Sequence, residues 1–413
     1  MLFWLWTLRI IILINIGFVI YCIFFSMKYW KTYFIINAFL IVFGYLWFNY
    51  IRLFYNKLTK KKFKDSNEPY SIIVPCYNEE SELLKQSVES LLKTDDNIKE
   101  IIIVDDGSTN GIWKTIEQLK KSDKRIRIFK FEKNRGKRFA YQFAVKKSKY
   151  NFIISMDSDT IVEKNAIRRL LSPFSDKNIG ATTGNVLIKN EKQNLLTRIQ
   201  AGIYWVGLNI YKRGQSTQGN VVCCSGCLSA YRKDCLLKVL QEFADQTFCG
   251  KRCHASEDRY LTNLIKEMGM EIYYVEDAIC YTEAPYTLKK WIKQQIRWKR
   301  GFFREATYTA TYSWKVSKIL YFENLLWLML PTVMILPTVI MSYYVMIMYP
   351  IRFFLITMPI NMLFLIGRDS LFFIEEPKKA IPYILFVPIY LFIMYPLNIY
   401  AIFNSNPEKW GTR

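Results

Sequence analysis

The chain has 413 residues, 51% hydrophobic and 16% aromatic, and its 57 Lys+Arg against 35 Asp+Glu leave a formal net charge of +22. A single His excludes a His-rich metal centre and the H-E-x-x-H protease motif, and no G-x-G-x-x-G or G-x-x-x-x-G-K-[ST] occurs, which removes the dinucleotide and P-loop phosphate cradles. Nine Cys, without the spacing of a secreted disulfide framework, point to free thiols in a reducing compartment.

In chain order, two apolar stretches come first: 18 uncharged residues between Arg9 and Lys28, then 20 between Lys31 and Arg52. At ~1.5 Å per helical residue each can cross a hydrocarbon core of ~30 Å. No small-residue cleavage site follows the first, and the second lies close behind, so a signal peptide is not expected. The basic run Asn56-Lys57-Leu58-Thr59-Lys60-Lys61-Lys62-Phe63-Lys64 then falls in the cytoplasm by the positive-inside bias. The 28–31 loop would lie outside.

Residues from about Glu68 to Tyr312 read as a soluble insert, in which short β-rich runs alternate with helical patterns as in an α/β domain. Ser71-Ile72-Ile73-Val74 predicts a buried strand, followed by an amphipathic helix over 79–93. Ile101-Ile102-Ile103-Val104 predicts a second strand, closing on Asp105-Asp106-Gly107-Ser108; 125–131 a third, ending near Asn134-Arg135-Gly136-Lys137-Arg138; and 151–156 a fourth, ending on Asp157-Ser158-Asp159. Open parallel sheets bind ligands at the carboxyl ends of their strands, and Tyr77-Asn78, Asp105-Asp106 and Asp157-x-Asp159 all stand there. Asp157 and Asp159 can converge at their turn, and two carboxylates with open positions suit Mg²⁺ or Mn²⁺ shared with substrate phosphates. A turn with two helix-capping acids is the plainer alternative.

Ser256-Glu257-Asp258-Arg259 precedes a helical stretch, as helix-capping acids or as a general base, Asp258, for an acceptor hydroxyl. Residues 288–306 predict a basic amphipathic helix containing Gln294-Gln295-Ile296-Arg297-Trp298, a pattern for a membrane surface or domain seam. Its indole offers a flat face for a sugar ring and its guanidinium can hold a phosphate. Apolar character returns over 324–351, 353–367 and 380–407, the last carrying Pro382, Pro388 and Pro396. Cys223, Cys224 and Cys227 with Cys249, Cys253 and His254 raise zinc, but Cys-x-x-Cys spacing occurs once among them. The positive charge largely flanks membrane segments and no nucleic-acid module is present, so no nucleic-acid partner is expected.

The series Val74-Pro75-Cys76-Tyr77-Asn78-Glu79, Asp105-Asp106-Gly107-Ser108, Asp157-Ser158-Asp159, Glu257-Asp258-Arg259 and Gln294-Gln295-x-Arg297-Trp298 resembles the processive membrane glycosyltransferases of family 2, which include cellulose, chitin and hyaluronan synthases. The chain looks most like the hyaluronan synthases, over essentially its whole length. The resemblance implies an α/β GT-A-type glycosyltransferase domain inserted between N- and C-terminal transmembrane helices, with amphipathic interface helices. The expected divisions are 1–55, two transmembrane helices; 56–286, the cytosolic transferase; 287–318, the interface helix; 319–403, transmembrane and re-entrant segments; and 404–413, a Trp-Gly-Thr-Arg gating segment. It further implies a multi-pass plasma-membrane enzyme, expected as a monomer, using UDP-GlcNAc and UDP-glucuronate, extending a polysaccharide and requiring Mg²⁺ or Mn²⁺.

Carried over by residue, the resemblance has Tyr77, Asp105 and Lys137 hold the uridine end, Asp157 contact the nucleotide and Asp159 ligate the metal. Asp258 would be the base. Arg297 and Trp298 would sit by the diphosphate and acceptor, Trp410, Thr412 and Arg413 would close over the diphosphate, and Cys224, Gly226, Glu257 and Trp298 would flank the acceptor. A cytoplasmic role for Arg413 requires the 380–407 block to re-enter or lie at the interface, which its prolines allow. Hyaluronan synthases usually carry Gly-Asp-Asp-Arg where Ser256-Glu257-Asp258-Arg259 stands, and a proline at Cys227. The Glu-Asp-Arg form looks more like chitin and chitin-oligosaccharide synthases, which use UDP-GlcNAc only. Two other classes are a non-processive transferase on a lipid carrier, which does not need Gln-Gln-x-Arg-Trp, and a non-enzymatic membrane protein, against which the registered acids argue.

Overall fold

The computed structural model describes residues 2–25, 63–64, 66–94 and 98–405. It comprises two compact units, one from the described residues of Thr59–Glu191 and Gln215–Pro285, the other from those of Met1–Leu58, Lys192–Gly214 and Tyr286–Ser405.

The first unit opens with the expected alternation: β1 (Tyr70–Cys76), α1 (Ser81–Leu92), β2 (Ile98–Asp105), α2 (Trp113–Ser122), β3 (Ile126–Lys130), α3 (Lys137–Lys147) and β4 (Phe152–Ser155). All seven residues of β1 are buried, as are Ile101 to Val104 of β2. Such uninterrupted apolar runs belong to strands covered on both faces. Parallel register sets Val74 beside Ile103, Cys76 beside Asp105, and Ile72 beside Ile154. The four predicted strands therefore end together at one edge.

The chain continues through β5 (Ile161–Val162), α4 (Ala166–Leu171), β6 (Ile179–Ile188), β7 (Ser229–Arg232), α5 (Lys233–Ala244), the hairpin β8 (Thr247–Phe248) and β9 (Lys251–Arg252), α6 (Glu257–Glu267) and β10 (Glu271–Thr282). The main sheet has eight strands in the order β3-β2-β1-β4-β7-β6-β10-β5. It is mixed, because β7 runs antiparallel to both β4 and β6, and β5 antiparallel to β10. This second half lacks a sequence signature as clear as the first. β7 has four residues, and β6 carries Gly180 and Gly184 among threonines. Gly184 is required by close approach: a Cβ there would lie 2.5 Å from the Ala278 carbonyl oxygen, where β10 shifts register.

The second unit is helical. Three of its helical runs, Lys318–Met348, Pro350–Arg368 and Pro377–Phe403, are long and apolar enough to cross a membrane, and match the three expected C-terminal blocks. The helix Leu2–Phe25 matches the first expected span, though the apolar stretch assigned within it, Trp6–Gly17, is shorter. The second expected span lies outside the described residues. The amphipathic helix runs Leu288–Val316, ten residues beyond its predicted end. A buried cluster including Leu8, Ile12, Trp205, Trp291, Phe303, Leu328, Phe353, Phe372, Tyr383 and Ile402 joins these helices with Leu195–Val206. The Arg9 guanidinium donates to the carbonyls of Ile402 at 3.0 and 3.1 Å and of Phe403 at 3.1 Å. It thereby caps the last helix, whose terminal carbonyls lack intrahelical donors and carry its negative dipole end.

Candidate active site

The strand ends of the first unit are laced to one another. After β1, Asn78 takes a left-handed conformation, φ 49°, which Asn tolerates better than most residues. Its amide donates to Ser108 Oγ (2.8 Å), and its side-chain oxygen accepts from the Thr109 amide (2.8 Å). The Ser108 amide in turn donates to Asp105 Oδ1 (2.9 Å). Asp105 is fully buried, yet its Oδ2 has no hydrogen-bond partner. A buried carboxylate oxygen left open in this way is an acceptor site awaiting a donor.

Asp106 takes the Arg135 amide on one oxygen and the Gly136 amide on the other, both at 2.8 Å. Burial pushes its carboxyl up to about 6, with those two amides acting in the opposite direction. The grip seats the turn from which α3 starts, on Lys137.

Lys137 is the electrostatic centre. Its Nζ lies 2.6 Å from Asp157 Oδ1 and 2.9 Å from Glu257 Oε1, with 13% of the side chain exposed. Burial works against its charge, but the two carboxylates prevail and hold it well above the usual lysine range. Burial likewise opposes the charge on Glu257, and Lys137 outweighs it, holding that carboxyl well below its ordinary value. Gly226 lies against the pair: a Cβ there would stand 3.1 Å from Asp157 Oδ2 and 3.3 Å from Lys137 Nζ. Ser158, between the two acids, donates to the buried Glu79 at 2.7 Å, fixing the turn that carries them.

Asp258 is the second residue of α6. Oδ1 accepts from the Arg259 amide (2.8 Å), and Cys223 Sγ stands 3.6 Å from Oδ2. Burial, then the neighbouring Glu257 charge, push its carboxyl above the ordinary aspartate value, with Lys137 and Arg259 pulling the other way. The Cys224 amide donates to Thr262 Oγ1 (2.8 Å), which donates to the Asp258 carbonyl (2.7 Å) and so fastens this loop to α6. Ser256, just before α6, is left-handed at φ 62°. A glycine at that position adopts such a conformation without steric cost.

Thus Lys137, Asp157, Glu257, Asp258, Cys224 and Gly226 converge in one unit, which also holds the buried Asp105 and the half-buried Tyr77 and Asp159. Arg297 and Trp298 stand on Leu288–Val316 in the other unit, where Trp298 is 39% exposed with its ring 6.1 Å from that of Tyr204. Trp410, Thr412 and Arg413 lie outside the described residues. Glu79, Asp106 and Ser158 stand inside the motifs and Cys223 among the cysteines that raised zinc, but the contacts they make were not foreseen; Thr262 carried no signal in the sequence.

Among the described residues no three His, Cys, Asp or Glu side chains are grouped to hold a metal ion, and eight cysteines are free thiols. Asp157 and Asp159 flank Ser158 on one turn, two carboxylates of the kind a hard cation shares with water and phosphate. A cavity of 660 Å³ lined by Glu68, Phe152, Phe174 and Arg232 opens at the opposite ends of the strands and contains none of these residues.

Residues 71–240 match Glycosyl transferase family 2. A hyaluronan synthase of Streptococcus pyogenes serotype M3 is 31% identical over 363 residues, 85% of each chain. N-acetylglucosaminyltransferases of Azorhizobium caulinodans and Bradyrhizobium diazoefficiens are 33% and 35% identical over 61% and 57% of this chain, and 64% and 49% of theirs. Among solved structures, the mannosyltransferase PcManGT from Pyrobaculum calidifontis, in complex with GDP-Man and Mn²⁺, shares the fold with a TM-score of 0.59, at 15% identity over 89% of this chain and 97% of its own.

Proposed function

The chain belongs to glycosyltransferase family 2, and from that premise we propose that it is a processive, inverting synthase of the hyaluronan type. It transfers GlcNAc and glucuronate from UDP-sugars to a growing polysaccharide. The observation that carries the reading is the convergence of Asp157, Lys137, Glu257 and an Asp258 of raised basicity beneath strand ends, in a chain whose likeness to the streptococcal synthase spans 85% of its length.

In this reading Tyr77 and Asp105 hold the uridine end, the open Asp105 Oδ2 receiving a base N–H. Lys137 serves there while bracing Asp157 and Glu257. Asp157 contacts the nucleotide, and Cys224, Gly226, Glu257 and Trp298 flank the acceptor. The acceptor oxygen attacks the anomeric carbon as the bond to UDP breaks on the opposite face, and UDP leaves with the electron pair. Asp258 Oδ2 takes the hydroxyl proton, and one displacement inverts the centre. Arg297, Trp298, Trp410, Thr412 and Arg413 gather on the diphosphate. Asp159 with Asp157 would hold Mg²⁺ or Mn²⁺, which would supply positive charge to the diphosphate.

The enzyme is multi-pass in the plasma membrane, with the transferase unit cytoplasmic, as the basic 56–64 run and positive-inside placement support. The end of Pro377–Phe403 returns to the same face. A second reading, a chitin-type synthase using UDP-GlcNAc only, is favoured by Glu257 and by the N-acetylglucosaminyltransferase relatives.

The test is UDP release by purified protein with Mg²⁺ or Mn²⁺ and UDP-GlcNAc, UDP-glucuronate, or both. A high-mass, hyaluronidase-sensitive product only with both donors supports the first reading. Polymer from UDP-GlcNAc alone replaces it with the second, and no sustained release with any donor removes both.

A further inference from the structure

We propose that Cys223 is a positioning residue for Asp258, its thiol donating to the carboxylate oxygen that receives the acceptor proton. This rests on the reading of Asp258 as the base. The two Asp258 oxygens are not equivalent. Oδ1 accepts the Arg259 amide at 2.8 Å, a bond within the first turn of α6. Oδ2 faces Cys223 Sγ at 3.6 Å, an ordinary separation for a weak S–H donor.

The contact is built in. The Cys224 amide is held by Thr262 Oγ1, and that hydroxyl is held by the Asp258 carbonyl, so the thiol is fixed to the same helical turn as the carboxylate. Cys223 and Asp258 are both half-buried, while Cys224 is fully buried. The charged and titratable groups that face Asp258 are Glu257 and Arg259 on its own helix, Lys137 on α3 and Tyr231 on β7, together with the Cys223 thiol. Lys137 bonds Asp157 and Glu257, and the Arg259 amide takes Oδ1. The thiol is therefore the side-chain donor that sets the direction of the free lone pair on Oδ2.

During transfer the thiol keeps its hydrogen. The acceptor proton passes to the other lone pair of Oδ2, the new glycosidic bond forms and UDP departs. A donor on the charged carboxylate favours its ionised form, so the contact lowers the pH at which the base becomes available.

The experiment uses the full-length protein in lipid nanodiscs with Cys223→Ser, Cys223→Ala and Asp258→Asn. Serine offers a stronger donor at the same position and alanine offers none. The acid limb of UDP release against pH should move down in Cys223→Ser. In Cys223→Ala it should move up with turnover reduced about tenfold and donor KM within about twofold, as expected for a lost orienting contact. Acid limbs coincident with the parent in both variants overturn the proposal.

A readout independent of activity is site-resolved alkylation by a maleimide, quantified by peptide mass spectrometry. Removing the neighbouring carboxylate charge in Asp258→Asn should speed alkylation of Cys223 severalfold and leave the exposed Cys249 unchanged. An unchanged Cys223 rate refutes the contact. If Asp258→Asn instead keeps full turnover, the base assignment fails and the positioning role falls with it, while the alkylation result still reports whether the two side chains touch.

Discussion

Lys137→Met removes one cation from between two carboxylates. With Nζ at 2.6 and 2.9 Å from its partners, each attraction is ~6 kcal/mol at an effective dielectric of about 20. Desolvation of the buried ions cancels much of that sum, and removing one member of such a group costs ~3–5 kcal/mol. Asp157, with 31% of its side chain exposed, regains solvation, whereas Glu257 at 16% does not. The penalty therefore concentrates on Glu257. In the parent its carboxyl is held low, despite burial, by Lys137, so its contribution to stability is present above about pH 4.5 and disappears as pH falls through the lower folded value. In Lys137→Met burial, the largest influence, is opposed only by Arg138 and a backbone hydrogen bond; its value rises, so the folded state favours the protonated form and loses stability as pH rises. The midpoint difference between parent and variant should widen from about pH 4 to about pH 7, reaching roughly 10 °C in detergent-solubilised protein followed by tryptophan fluorescence. Adding Glu257→Gln should recover most of the loss. A pH-independent difference, or no recovery in the double variant, would refute this account of the cluster.

Asp258→Asn should lower UDP release by ~10²–10⁴, with donor affinity by calorimetry little changed; retained turnover removes the residue from the role of base. Gly226→Ala places a methyl 3.1 Å from Asp157 Oδ2 and should reduce turnover by roughly 10–100-fold through misplacement of the pair, with a midpoint near the parent. Ser256→Gly relieves the left-handed φ of 62° and should raise the midpoint by an amount equivalent to ~1 kcal/mol; a lower midpoint contradicts the strain. Tags placed before Leu2 and after Arg413 should both be digested from the cytoplasmic face of sealed vesicles, and protection of one alone breaks the topology.

The parallel half of the sheet was legible because its strands are buried on both faces and read as unbroken Ile and Val runs closing on acids. The mixed half was not, because pairing there depends on close backbone approach at Gly184 and on a four-residue strand, neither of which produces periodicity. Asp157, Glu257 and Asp258 could be named from motifs, but Lys137 reaches Asp157 across 20 residues and Glu257 across the meeting of α3 and α6, about 120 residues apart, distances that a motif does not encode. The role of Ser158 was hidden for the same reason: its partner Glu79 lies 79 residues away and reads locally as a helix-entry acid.

Topology follows from a single side chain. Arg9 stands near the start of Leu2–Phe25 and bonds the last carbonyls of Pro377–Phe403, so the start of the first helix and the end of the last share one membrane face. An even number of crossings must then separate them. The candidates number five: Leu2–Phe25, the 32–51 stretch, and the three C-terminal runs. On the proposed topology, at least one of them does not cross. Pro377–Phe403 carries four prolines where each of the other two C-terminal runs carries two, and it has turns at 384–385. Each proline removes a backbone donor, and freed carbonyls at membrane depth are tolerated only where protein covers them. Here Tyr383 packs against Gly202 near one end of the run, and Lys299 bonds Asn398 at 2.6 Å near the other. A lysine head group prefers the aqueous boundary to the hydrocarbon interior, and Arg9 marks the same boundary. On the proposed reading, the last run is the segment that turns back.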